Sequence, residues 1–165
     1  MKSVAEFNTL LDKAKDILLG NVRVFNGYRI VVPHLKAYPV PYCWDTAFHV
    51  LGLVHVDKQL AKENIEGLLS LMREDGLIPN APLLEACQDL RSQPPIIHYA
   101  VQYYLEKTGD TESVRKWFEL LKKYYSWWLK HGSAHGRAGA ISPFTGARED
   151  DPAKPYHLAY WAVCS

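Results

Sequence analysis

Apolar residues recur at helical spacing from the start of the chain. Phe7, Leu10, Leu11, Ala14, Ile17 and Leu18 share one face of a 3.6-residue repeat, after a Ser3/Glu6 capping box and before Gly20. That pattern predicts a first helix over 4–19. Residues 21–43 break the period: Val22 and Val24 alternate with polar positions, Ile30, Val31 and Val32 are β-branched, and Pro33, Pro39 and Pro41 follow. The expectation there is an extended segment or short β-hairpin near residues 21–33, leading into a loop. A second helix is predicted from Trp44 to Val54. Asp57 then caps a third, with Ala61, Ile65, Leu68, Leu69 and Met72 on one face before Gly76. The turn between these two is so short that they should pack as antiparallel neighbours.

Residues 76–93 form a long irregular connection. Pro94 and Pro95 mark a fourth helix start, and Ile96, Ile97, Ala100, Val101, Tyr104 and Leu105 carry it to Gly109. Asp110 caps a fifth, whose stripe of Val114, Trp117, Phe118, Leu121, Tyr124, Tyr125 and Trp128 reads as core. A long stretch rich in Gly, Pro, Ser and charge follows, then the apolar run HLAYWAVCS. The fold class is therefore all-α, with long loops after alternate helices, and loops of that length are usually functional. The terminal apolar run has no cap or polar tail, so residues 1–165 are expected to be a single domain that is the incomplete N-terminal portion of a larger one. A helical repeat scaffold is disfavoured, because no self-similarity at ~34–45 residues is visible.

Composition changes the picture in one respect. The 165 residues are 48% hydrophobic and 22% charged with a net charge of +1, values of an ordinary globular domain with no global field for nucleic acid or an anionic membrane. Ten Tyr, five Trp and five Phe are more rings than a small core needs, which leaves some for a ligand. Cys43, Cys87 and Cys164 are odd in number and lack metal spacing, so they read as free thiols in a reducing compartment. The N-terminus lacks signal-peptide character and no apolar run reaches a membrane span. A cytoplasmic protein is expected.

Three clusters carry candidate chemistry: PYCWDTAFHV (41–50), GLIPNAP with RSQPP (76–95), and SPFTGAREDDP (142–152). All lie in loops or at helix N-termini, where side chains can converge on one pocket. Trp44 beside Asp45 offers a flat apolar face and an acceptor-only carboxylate, which suits a pyranose ring; a core Trp and a helix N-cap are the structural alternative. Arg91, Ser92 and Gln93 precede two prolines that stiffen the backbone, so Arg91 and Gln93 can grip hydroxyls with fixed geometry; an Arg91 surface ion pair is the alternative. Asn80 after Pro79 can be an ordinary Asx turn. Crowding among Glu149, Asp150 and Asp151 raises at least one pKa, which serves a general acid, although most such triplets are solvated loop. His131 and His135 have no third ligand nearby, so no metal is expected.

WDTAFH, followed by IPNAP and RSQPP, resembles the N-terminal half of the catalytic domain in the trehalase and family 63 glycoside hydrolase group, over about residues 35–130. The family 63 side, with mannosyl-oligosaccharide glucosidase and mannosylglycerate hydrolase, is the closer likeness. The resemblance implies a partial (α/α)6 barrel of antiparallel helix pairs and an inverting α-glycosidase acting on an oligosaccharide or small glycoside without a cofactor. It implies that Trp44, Asp45, Phe48, Asn80, Arg91 and Gln93 bind substrate. The family's general acid is an Asp in a motif resembling SG(M/L)D(D/N)xP. TGAREDDP offers Asp150, two residues late, while Cys164-Ser165 could open the same motif with its Asp beyond. The general base is a downstream Glu in the family. The alternative from another class is a non-catalytic helical carbohydrate-binding or interaction module.

Overall fold

The computed structural model describes residues 4–82 and 92–132. Ser3, Cys87, Arg91, His135, the 149–151 acids, Cys164 and the apolar run at 157–165 lie outside the described residues. Within them, five helices and one hairpin follow in order: α1 (Val4–Gly20), β1 (Val22–Phe25), β2 (Tyr28–Val31), α2 (Cys43–Leu53), α3 (Lys58–Leu69), α4 (Ile97–Thr108) and α5 (Thr111–Gly132).

The hairpin closes on Asn26 and Gly27, both at positive φ, the conformation that lets a two-residue turn match the strand twist. Its antiparallel register pairs Val22 with Val31 and Phe25 with Tyr28. Asn64 anchors it to α3: the Asn64 side chain accepts the Val31 N–H at 3.0 Å and donates to the Leu60 carbonyl at 2.7 Å. Asp57 caps α3 by accepting the Leu60 N–H at 2.9 Å, and Gly109 ends α4 in the left-handed conformation that a Cβ would strain. Asp110 opens α5 by accepting the Ser113 N–H at 3.0 Å. These starts and stops agree with the expected ones.

The core lies where α2, α3 and α4 meet and one face of α5 covers them. Ala47, Val50 and Leu53 of α2 are buried against Ile65 and Leu68 of α3, Ala100 and Val101 of α4, and Trp117, Leu121 and Tyr124 of α5.

Three expectations are modified. Helix α3 ends at Leu69, and turns linking Leu71 to Leu68 and Met72 to Leu69 carry the chain toward Gly76. On α5 the buried face runs through Trp117, Leu121, Tyr124 and Trp127, so Phe118 and Tyr125 fall at its edges and stay exposed. The apolar stripe of α1 is mostly exposed, with Leu18 as its contact to the core. Among the described residues no helix is long and apolar enough to cross a membrane.

Candidate functional site

The first N–H groups of a helix have no partners inside it, and a side chain at the N-cap usually supplies one. Helix α2 starts differently, because Tyr42 at its N-cap position provides no side-chain cap. Two loops take that role. The Cys43 N–H donates to the Asn80 carbonyl at 2.9 Å, and the Trp44 N–H donates to Gln93 Oε1 at 2.8 Å. The IPN and SQPP segments are thus brought to the start of the WD helix from 37 and 49 positions away in sequence.

Gln93 is buried and its amide serves two neighbours. Its oxygen caps Trp44, and its amide, like the Trp44 indole, favours the charged form of the Asp45 carboxylate. Burial pushes the Asp45 carboxyl up from its ordinary value, and its own backbone N–H, then the Trp44 and Gln93 side chains, oppose that shift. Asp45 remains half-buried, so it keeps acceptor capacity toward solvent. Trp44 is also half-buried, and its ring lies 6.5 Å from that of Phe48 at an interplanar angle of 52°. Phe48, one turn along α2, is 51% exposed.

Behind this pair lies a buried polar cluster. Tyr124 of α5 reaches back with its hydroxyl, 2.7 Å from Ser92 Oγ, 3.4 Å from Cys43 Sγ and donating to the Gln93 carbonyl at 3.0 Å. Ser92 Oγ donates to the Ile78 carbonyl at 2.6 Å. Burial pushes the Cys43 thiol up to about 12 and the Tyr124 hydroxyl higher still, so both stay protonated.

Of the expected site residues, the structure therefore gathers Trp44, Asp45, Asn80 and Gln93 around the first turn of α2, with Phe48 beside them. Asn80 is buried and contributes its backbone carbonyl. Arg91 and Asp150 lie outside the described residues. The sequence reading placed Tyr124 in the apolar stripe and gave no role to Ser92 or Cys43. The one signal available for Tyr124 is general: a Tyr on a buried face needs a partner for its hydroxyl. Among the described residues, no cluster of His, Cys, Asp and Glu could hold a metal ion.

Residues 38–158 match the family described as mannosylglycerate hydrolase MGH1-like glycoside hydrolase domain. A trehalase of Bombyx mori is 35% identical over 60% of this chain and 18% of its own length. The mannosylglycerate hydrolase MGH1 of Selaginella moellendorffii is 26% identical over 93% of this chain and 36% of its own. The crystal structure of a GH63 mannosylglycerate hydrolase from Thermus thermophilus in complex with glucose superposes with a TM-score of 0.63, at 26% identity, over 74% of this chain and 34% of that one. The chain thus spans between a fifth and about a third of the relatives it matches, and its helices form part of a helical-barrel glycosidase fold.

Proposed function

The chain belongs to the mannosylglycerate hydrolase MGH1-like glycoside hydrolase domain family, and on that premise we propose that it carries the sugar-holding part of a glycosidase site for a small α-linked glycoside. The observation that carries the reading is the Trp44–Asp45–Gln93 arrangement: a half-buried indole beside a half-buried carboxylate at a helix start whose Trp44 backbone N–H is held by the buried Gln93 amide. A pyranose presents an apolar C–H face to a ring and hydroxyl donors to an acceptor, and this pair offers both at adjacent positions. Asp45 accepts hydroxyls, Trp44 and Phe48 form the platform, and Asn80 and Gln93 hold α2 in place, with Arg91 a second polar contact.

The proposed reaction is inverting hydrolysis. One carboxylic acid protonates the glycosidic oxygen, and a second carboxylate ~6.5–9.5 Å away activates water on the opposite face. Asp150→Asn in the full-length protein assigns the acid. A loss confined to substrates with poor leaving groups gives that role to Asp150, and a modest effect gives it to another aspartate. A reducing, cytoplasmic setting is part of the proposal, supported by Cys43, which is a buried free thiol.

The test is hydrolysis of α,α-trehalose, α-mannosylglycerate and a panel of α-linked disaccharides by the full-length protein, followed by NMR of the released anomer. Cleavage of at least one, with inverted product first, is expected. Binding without cleavage would replace this reading with a carbohydrate-binding module, and neither binding nor cleavage would remove both.

A further inference from the structure

We propose that Tyr124 and Ser92 are positioning residues that set the sugar-holding pair from behind, through the two loops that cap α2. The proposal deepens the glycosidase reading and rests on it. Its basis is where the two hydroxyls go. Ser92 Oγ donates to the Ile78 carbonyl at 2.6 Å, two residues before the Asn80 carbonyl that caps Cys43. Tyr124 Oη donates at 3.0 Å to the carbonyl of Gln93, whose side chain caps Trp44 and reaches Asp45. Each surrogate cap of α2 is therefore tied to one hydroxyl, and the two hydroxyls lie 2.7 Å apart.

The hydrogens fix the direction of the cluster. Carbonyl oxygens cannot donate, so the protons of Ser92 and Tyr124 are directed to Ile78 and Gln93, and one of them is shared across the Ser92–Tyr124 contact. Tyr124 Oη is then an acceptor toward Cys43 Sγ at 3.4 Å, and the thiol is the donor there. Burial, which keeps that thiol protonated, suits this role. The chain of donation runs from Cys43 at the start of α2, through Tyr124 on α5, to the Gln93 carbonyl on the SQPP loop.

Packing alone does not account for the arrangement. Phenylalanine at 124 would fill nearly the same space without the cost of burying a hydroxyl, and alanine at 92 would bury no hydroxyl at all. What the two hydroxyls add is a fixed distance between α5 and both loops. In hydrolysis that distance sets the angle at which Asp45 and the Trp44 ring meet the sugar.

The experiment compares Tyr124→Phe and Ser92→Ala with the wild type in the full-length protein. The first readout needs no sugar: the side-chain amide resonance of Gln93 and the indole resonance of Trp44 in ¹H–¹⁵N spectra. Both should shift in each variant. The second readout is the split between KM and kcat on α,α-trehalose and α-mannosylglycerate. KM should rise about 3- to 10-fold, the equivalent of one net hydrogen bond. Added to Gln93→Ala, Tyr124→Phe should cause little further loss, because residues acting through one another are not additive. Ser92→Ala leaves Tyr124 in the core and carries the test if Tyr124→Phe does not fold. A lowered melting temperature with both resonances and KM unmoved would overturn the proposal. A wild type that neither binds nor cleaves these glycosides would remove the glycosidase reading instead, and the resonance shifts would still decide whether the hydroxyls set Gln93.

Discussion

Gln93→Glu is nearly isosteric and separates the two halves of the Gln93 amide. One carboxylate oxygen can still accept the Trp44 N–H, which lies 2.8 Å from Gln93 Oε1 in the wild type. A negative charge at that helix start gains ~0.3–1 kcal/mol from the helix dipole. The donor to Asp45 is lost, and a hydrogen bond to a charged group contributes about 1.5–3 kcal/mol. Two carboxylates then face each other, and like charges ~4 Å apart in a surface-like dielectric repel by about 4 kcal/mol before solvent screening, which the half-exposed Asp45 reduces. The losses exceed the gain, so the folded pair retains one proton, which restores a donor between the two groups. The folded state then binds a proton more tightly than the unfolded one, so stability is retained at low pH and falls as pH rises through the raised value. The substitution should therefore cost little near pH 5 and about 2–4 kcal/mol at pH 8. At ~2–4 °C per kcal/mol for a chain of this size, thermal melts across that range should separate from the wild type by several degrees. A pH-independent difference would refute the Gln93–Asp45 contact.

Gly67 on α3 lies so close to β2 that an added Cβ would fall inside contact distance of Ile30 Cδ1 and 2.9 Å from its Cγ1. Gly67→Ala should destabilise, because overpacking at ~1–3 kcal/mol outweighs a helix-propensity gain of up to ~1, and Ile30→Val should recover part of the loss in chemical denaturation. Hydrogen bonds from Ser113 above all, then from Tyr104 and Lys62, hold the Asp110 carboxyl below the usual carboxylate range. That contribution is complete above the ordinary Asp value and lost only in stronger acid, so Asp110→Ala should cost about 1–2 kcal/mol at pH 7 and show nearly the same gap at pH 4. Trp44→Ala should weaken sugar binding roughly tenfold or more in calorimetry while leaving the fold intact, whereas Trp117→Ala, in the core, should cost ~3–5 kcal/mol of stability. Equal destabilisation by both would make Trp44 a core residue.

Helix starts and stops were legible wherever a local residue enforces them. Asp57, Gly109 and Asp110 act within a few positions of themselves, so sequence alone reveals the cap, the stop and the next start. The turn at Asn26-Gly27 was equally local, yet the reading rested on strand alternation and left the hairpin only one of two options. The α5 stripe was visible as a period, but a period fixes a direction and not its width. Phe118 and Tyr125 at the edge, and Trp127 inside it, depend on which helices α5 meets. The WD, IPN and RSQ segments were recognisable as separate motifs at loops and helix starts. How two of them replace the missing N-cap of α2 was not, because the link runs through backbone carbonyls and one amide across 37 and 49 positions. Tyr124 was hidden for the same reason, since an amphipathic pattern records that a ring is buried and not where its hydroxyl goes.

Asp45→Asn tests the central claim most directly. Burial already raises the Asp45 carboxyl, so its charge is held in the fold at a cost and should be retained for binding rather than for stability. The neutral amide keeps one oxygen for the Trp44 and Gln93 donors. With stability and hydrolysis measured on the same full-length protein at pH 8, the melting temperature should be unchanged or higher. The rate of hydrolysis per unit substrate, kcat/KM, on whichever α-glycoside the wild type cleaves should fall by roughly 100-fold, the loss of charged hydrogen bonds to the sugar. A lower melting temperature with undiminished kcat/KM would make Asp45 a structural cap and contradict the sugar site.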